Sequence, residues 1–205
     1  MEKKYPTKEQ TLVIIKPDGV QRTLIGEIIK RYERTGLKLI ALKMIIPNEE
    51  LSTKHYYEVG GDVWIKEVGR KASEAYEKKG EKSPYETFEE NGWAVLKANA
   101  KYLSSGPVIA MIWQGASAVE LVRKITGSTA PLLADVGTIR GDFTLDSFAL
   151  ADVDGRSIRN LIHSSGTVED AQKEISIWFK KEEVLEYRLV QEQILYDVNL
   201  DGILE

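Results

Sequence analysis

The chain has 205 residues, 28 basic and 32 acidic side chains, a net charge of −4 and no cysteine. That balance argues against a general nucleic-acid surface, which is normally basic, and the missing thiol removes disulfides, thiolate metal ligands and a cysteine nucleophile together. A chain this long buries a core of its own, about 70% of its unfolded surface; no stretch is apolar for the ~20 residues a bilayer span needs, and the charged first ten residues predict no secretory signal and a cytoplasmic protein.

Residues 11–15 read as a buried strand, with Lys16-Pro17-Asp18-Gly19 as a tight turn behind it. Leu24, Ile25, Ile28, Ile29 and Tyr32 recur at helical spacing before the stop at Gly36. A second strand covers 37–46, and Asn48 caps a helix running to about Tyr57. Residues 59–93 are rich in Glu, Lys and Gly. There Trp64, Val68, Ala72 and Tyr76 recur every four residues until Gly80, and Ser83-Pro84-Tyr85-Glu86 reads as a second helix start. Another helix spans 94–103, and Ser104-Ser105-Gly106 breaks it before a strand over 107–113. Ser117 with Glu120 predicts a capping box for a helix over 119–125 that ends at Gly127. Residues 128–157 read largely as loop. A short strand then ends at Leu161 and Ile162, and Thr167 with Asp170 starts a helix whose apolar stripe is Val168, Ala171, Ile175 and Trp178, with Glu174 at its border. This order predicts an α+β fold: a ferredoxin-like βαββαβ antiparallel sheet with helices on one face, elaborated by a helical insertion, its first and last strands central neighbours.

His163 falls between that last strand and its helix, where rigid elements fix a side chain and a loop exposes it. A lone histidine there is more often a satisfied structural group. The chain has only two histidines, so a histidine-built metal site has little support, and no thiol competes with His163 as a nucleophile. Lys16 ends the first strand, Arg123 lies in the last turn of the 119–125 helix and Arg140 lies in the loop. Singly each is an ordinary surface charge. Together around His163 they suit a phosphate chain, because an acidic protein gains little from clustered cations unless an anion sits among them. Asp197-Val198-Asn199-Leu200-Asp201-Gly202 imitates half a calcium loop but lacks the acid six residues after its glycine, and reads as a polar tail.

Several runs together resemble the nucleoside diphosphate kinases: residues 11–22 (TLVIIKPDGVQR), 26–31 (GEIIKR), His55-Tyr56, 105–113 (SGPVIAMIW), 137–143 (GTIRGDF), 159–163 (RNLIH) and 169–179. The likeness spans about 10–58 and 94–197. It implies one kinase domain over 1–205 with insertions at about 59–93 and 144–156. It further implies that His163 takes the terminal phosphate of a nucleoside triphosphate, typically ATP, and passes it to a nucleoside diphosphate, by ping-pong kinetics through phosphohistidine. Lys16 and Asn160 would contact the sugar and phosphate end, Arg123, Thr129 and Arg140 would hold phosphates, Tyr56 would support Lys16, and Ser165 and Glu174 would orient the imidazole. Magnesium (Mg2+) would bridge the nucleotide phosphates, since no carboxylate cluster is seen to cage it. A homo-oligomer of dimers, tetramer or hexamer, is implied, with neither membrane nor nucleic acid as partner. Ser164 stands where relatives usually have Gly, Gly166 where an acid is usual, Val136 where many have Pro, and Val95 near the place of a base-stacking aromatic. The aromatics of 59–93 are expected either to contact the base or to pack the insertion's two helices together or against a neighbouring subunit. The rival reading is a catalytically retired scaffold that binds protein or nucleic acid.

Overall fold

The computed structural model describes residues 8–78 and 80–196; the calcium-loop-like run lies outside them. In chain order the elements are β1 (Glu9–Ile15), α1 (Pro17–Gln21), α2 (Ile25–Glu33), β2 (Lys38–Ile45), α3 (Glu49–Lys78), α4 (Phe88–Leu103), β3 (Val108–Gly115), α5 (Ala118–Thr126), α6 (Ile139–Phe143), α7 (Phe148–Val153), β4 (Ile162–Ser164), α8 (Val168–Trp178) and α9 (Gln191–Tyr196), with 3-10 turns at Pro131–Leu133 and Lys181–Glu183. The four strands form one antiparallel sheet in the order β2-β3-β1-β4. The fold is α+β and ferredoxin-like. β1 and β4 are neighbours as expected, but only β1 is central: β3 holds its other side, so β4 is an edge strand.

β1 is buried on both faces, which explains why it reads as one apolar run instead of alternating. Val13 and Ile15 face Ile28 and Tyr32 of α2 and Ala118 and Val122 of α5. Leu12 and Ile14 face Leu103 of α4 and Trp178 and Phe179 at the end of α8. The two crossover helices α2 and α5 therefore share one face, and the end of α4, α8 and the start of α3 cover the other.

Local departures have local causes. Residues 17–21 are a helical turn, because Pro17 suits a first helical position and Asp18 a helix N-terminus. Ser83 does not start a helix. Thr87 does: its Oγ1 accepts the Glu90 N–H at 3.1 Å, Glu90 Oε2 accepts the Thr87 N–H at 3.1 Å, and α4 then runs unbroken to Leu103. Ser117, at φ 49°, makes no capping bond; Glu9 Oε1 accepts the Val119 N–H instead, at 2.9 Å. Within 128–157, Thr138 and Ser147 cap α6 and α7. Asn48 and Thr167 cap as expected.

The predicted helices over 48–57 and 64–79 are one element kinked at Gly61, whose φ of 54° with ψ −154° is glycine territory. Beyond the kink α3 returns against α4 as a hairpin. At their crossing a Cβ on Gly69 would lie 1.7 Å from the Phe88 carbonyl oxygen, and one on Gly92 2.0 Å from that of Ile65, so these helices meet backbone to backbone. Asn91 Nδ2 donates to Ser73 Oγ at 2.9 Å across the contact.

Candidate active site

The Lys16 N–H donates to the Leu161 carbonyl at 2.8 Å, and the β1–β4 register sets Ile14 opposite His163. Leu161 itself has φ 65°, and the Ile162 N–H reaches back to the Asn160 carbonyl at 2.7 Å. That is a γ-turn of the rare positive-φ kind, a conformation worth about 1–3 kcal/mol of strain in a residue that is not glycine. The turn points Asn160 at β1, where its Oδ1 accepts from Lys16 Nζ at 2.8 Å while its Nδ2 donates to the Thr129 carbonyl at 2.9 Å.

His163 is 19% exposed, and its Nε2 lies 2.9 Å from Glu174 Oε1 on α8. Glu174 is buried; its other oxygen accepts the Ser165 hydroxyl at 2.6 Å, and Ser165 Oγ accepts the Leu12 N–H at 3.0 Å. Burial pushes the Glu174 carboxyl up, but the charge and hydrogen bond of His163, with help from His55 and Ser165, outweigh it and hold it below the usual carboxylate range. The carboxylate therefore holds the proton of His163 on Nε2 and leaves Nδ1 with a free lone pair. The T-shaped neighbour ring, 4.4 Å away, is His55. Trp178 Nε1–H donates to His55 Nδ1 at 3.2 Å, so the proton of that neutral ring is on Nε2. Burial, with the charge of His163, pushes His55 down to about 3, and it stays neutral.

The cations gather beside this pair. Lys16 is buried, and burial, with Arg140 nearby, pushes its ammonium down to about 7 against the opposing pull of Asp18. Arg140 donates to three backbone carbonyls: from Nε to Asn160 at 3.2 Å, from Nη1 to Gly127 at 2.9 Å and from Nη2 to Ile162 at 2.6 Å. A guanidinium has five N–H groups, so two are left for a ligand. Arg123 and Thr129 are exposed at the rim. Tyr56 departs from expectation: its hydroxyl is buried without a hydrogen-bond partner, and the aromatic against Lys16 is Tyr102, its ring centroid 5.0 Å from Nζ.

The profile of the family described as nucleoside diphosphate kinase matches residues 9–75 and 65–184. A nucleoside diphosphate kinase of Pyrobaculum aerophilum is 42% identical over 87% of this chain and 98% of its own length. The chain belongs to the nucleoside diphosphate kinase family. The crystal structure of an NDP kinase from the same organism superposes with a TM-score of 0.84 at 41% identity, over 87% of this chain and 100% of that one. A transition-state mimic of the Borrelia burgdorferi kinase with bound vanadate and ADP superposes at 0.73 and 40%, over 90% and 95%. This nucleoside diphosphate kinase is thus an enzyme of phosphate transfer between nucleotides, and the retired-scaffold reading is not favoured.

His55, Asp18 and Tyr102 of this kinase escaped sequence reasoning as site residues. His55 was visible only as part of a matching dipeptide, and Tyr102 only as a helix residue. His55, His163 and Glu174 offer ligand atoms within 4.8 Å of one another, but they do not fit a resident metal. The free nitrogen of His55 carries a proton, and both Glu174 oxygens already accept hydrogen bonds. No helix of the described residues is long and apolar enough to cross a membrane.

Proposed function

We propose that His163 Nδ1 is the nucleophile of a ping-pong phosphoryl transfer, a reading carried by the 2.9 Å contact of Nε2 with buried Glu174. Nδ1 forms a bond to the terminal phosphorus of a nucleoside triphosphate such as ATP as the bond to the bridging oxygen breaks, and the diphosphate leaves with that electron pair. The imidazolium so formed keeps its Nε2 proton against the ionised Glu174, which is oriented by Ser165. A second nucleoside diphosphate then attacks the phosphoryl group through a terminal oxygen, and His163 departs neutral. Phosphoryl transfer of this kind depends on placement and charge neutralisation. Lys16 and the two unengaged N–H groups of Arg140 supply the charge within the site, Arg123 supplies charge and Thr129 a hydroxyl for phosphate at its rim, and Asn160 fixes Lys16. Tyr56 packs its ring against His55, 4.9 Å between centroids, behind the site. A divalent cation, magnesium, would be held by the nucleotide phosphates and would neutralise their charge, since Glu174, the carboxylate beside His163, is already engaged.

Residues 59–93 are proposed as an elaboration of a single kinase domain, supported by the continuity of α4 from the hairpin to Leu103 in the core. A homo-oligomer built on dimers is proposed from β2, an edge strand that exposes Leu42 and Met44, because apolar edges of this sort are normally covered.

The test of the nucleophile is labelling by the terminal phosphate of ATP without acceptor. The expected product is an acid-labile, alkali-stable phosphoamidate that His163→Ala abolishes together with turnover. A His163→Ala enzyme with full activity would overturn the mechanism.

A further inference from the structure

Asp18 and Tyr102 have no role in the mechanism above, yet both converge on the strained turn at Leu161. Tyr102 Oη donates to Asp18 Oδ1 at 2.6 Å, and Asp18 Oδ2 accepts the Leu161 N–H at 3.2 Å. The Leu161 carbonyl is held from the same side by the Lys16 N–H. Residues 16–18 therefore grip both polar groups of a residue with φ 65°. Such a conformation persists only where its surroundings over-determine it. The turn directs Asn160 to Lys16, and His163 follows two residues later.

We propose that Asp18, oriented by Tyr102, is a positioning residue for phosphoryl transfer: it fixes the Leu161 turn that aligns Asn160, Lys16 and His163, and it supplies the negative charge beside Lys16. This rests on the phosphohistidine reading. The Tyr102 ring also lies against Lys16 Nζ, so one side chain of α4 touches both the cation and the carboxylate. α4 begins in the inserted hairpin, so the helix that starts there delivers this residue to the site.

The groups that face Lys16 are Arg140 from α6, Asp18 from α1, Tyr102 from α4, the Asn160 amide from the turn before β4 and, farther off, His55 of α3 and the His163–Glu174 pair it contacts. Among them Asp18 is the group that opposes burial and Arg140 in keeping the ammonium charged. Loss of its charge should therefore move the alkaline limb of kcat/KM, which reports the free enzyme, to lower pH. A link that merely ties α4 to α1 would leave that limb where it is.

The experiment compares Tyr102→Phe, Asp18→Asn and the double variant in the full chain, by steady-state kinetics against pH and by the rate of His163 phosphorylation by ATP. Tyr102→Phe keeps the ring and every charge. It is expected to lower kcat about tenfold, the scale of a small misplacement of reacting groups, with KM within about twofold and the limb unmoved. Asp18→Asn should slow the enzyme at least as much and shift the limb to lower pH. The double variant should match Asp18→Asn alone, because Tyr102 acts through Asp18. All three should reach the wild-type amount of phosphohistidine, only more slowly, whereas failure of the phosphohistidine reading would leave the wild type unlabelled as well. Wild-type kcat in Tyr102→Phe, additive effects, or an unmoved limb in Asp18→Asn would each overturn the proposal. If Asp18→Asn does not fold, Tyr102→Phe alone decides it.

Discussion

Arg140 and Lys16 are both buried cations, but the chain around them uses them differently. Lys16 has Asn160 as its side-chain hydrogen-bond partner, whereas Arg140 ties Gly127 to both sides of the Leu161 turn. The three carbonyl contacts make Arg140 part of what holds the fold together. Lys16→Ala and Arg140→Ala should each slow turnover by about 10²–10³-fold, the scale of losing one preorganised charge contact. Lys16→Ala should leave the urea midpoint near wild type, because the burial that lowers its ammonium is itself unfavourable. Arg140→Ala should also cost about 3 kcal/mol, since hydrogen bonds from a charged group contribute ~1.5–3 kcal/mol each and add incompletely. Equal midpoints for the two variants would show that the clamp does not support the fold.

At the scale of elements, the α3–α4 hairpin depends on two positions without a side chain. Gly69→Ala would drive a methyl group into the Phe88 carbonyl, which is backbone and has no rotamer to yield. The helices must separate, and overpacking of this sort costs about 1–3 kcal/mol. Thermal unfolding should therefore shift by roughly 2–4 °C for each kcal/mol in a chain of this size. An unchanged Tm would mean that the hairpin is not closely packed. The expectation that the inserted aromatics pack the hairpin or contact a base is answered in part by the stacks they make. Trp93 stacks on Tyr57 at 5.3 Å and Trp64 on Tyr56 at 6.4 Å, while Tyr85 and Phe88 remain exposed.

For the molecule as a whole, His55 sets an acid limit. Its ring titrates at about 3 in the folded chain against 6.5 for a free histidine, so its folded value is depressed. Between those values the unfolded chain binds a proton that the native chain refuses. Stability from this group is complete above pH 6.5 and is lost as pH falls towards 3, by up to ~1.4 kcal/mol per unit. His55→Asn keeps an acceptor for the Trp178 N–H and removes the titration. It should lower stability at neutral pH yet flatten its decline under mild acid, measured by urea unfolding at several pH values. A variant whose stability falls as steeply as wild type would show that His55 is not the titrating group.

The sequence by itself determined the apolar runs of three of the four strands, the amphipathic helices α2 and α8, and the Asn48 and Thr167 caps. These are local signals: periodicity and capping act within a turn or two of the residue that carries them. It also set Glu174 at the border of the apolar stripe of α8, from where it reaches His163; His163, however, is the middle residue of β4 and does not lie past the strand's end, because its backbone pairs with Ile14 of β1. Other features required tertiary structure, for equally definite reasons. Glu9 caps α5 from 110 residues away, so no pattern around Ser117 contains the answer. The merger of helices at Gly61 depends on α4 supplying a surface for the second half of α3. The positive φ of Leu161 is imposed from outside by Lys16, Asp18 and Arg140, and a leucine in a strand-like run gives no sign of it. The roles of His55 and Tyr102 are of the same kind: each is fixed by a partner, Trp178 or Asp18, that only the packing of the helices on the sheet brings within hydrogen-bond distance.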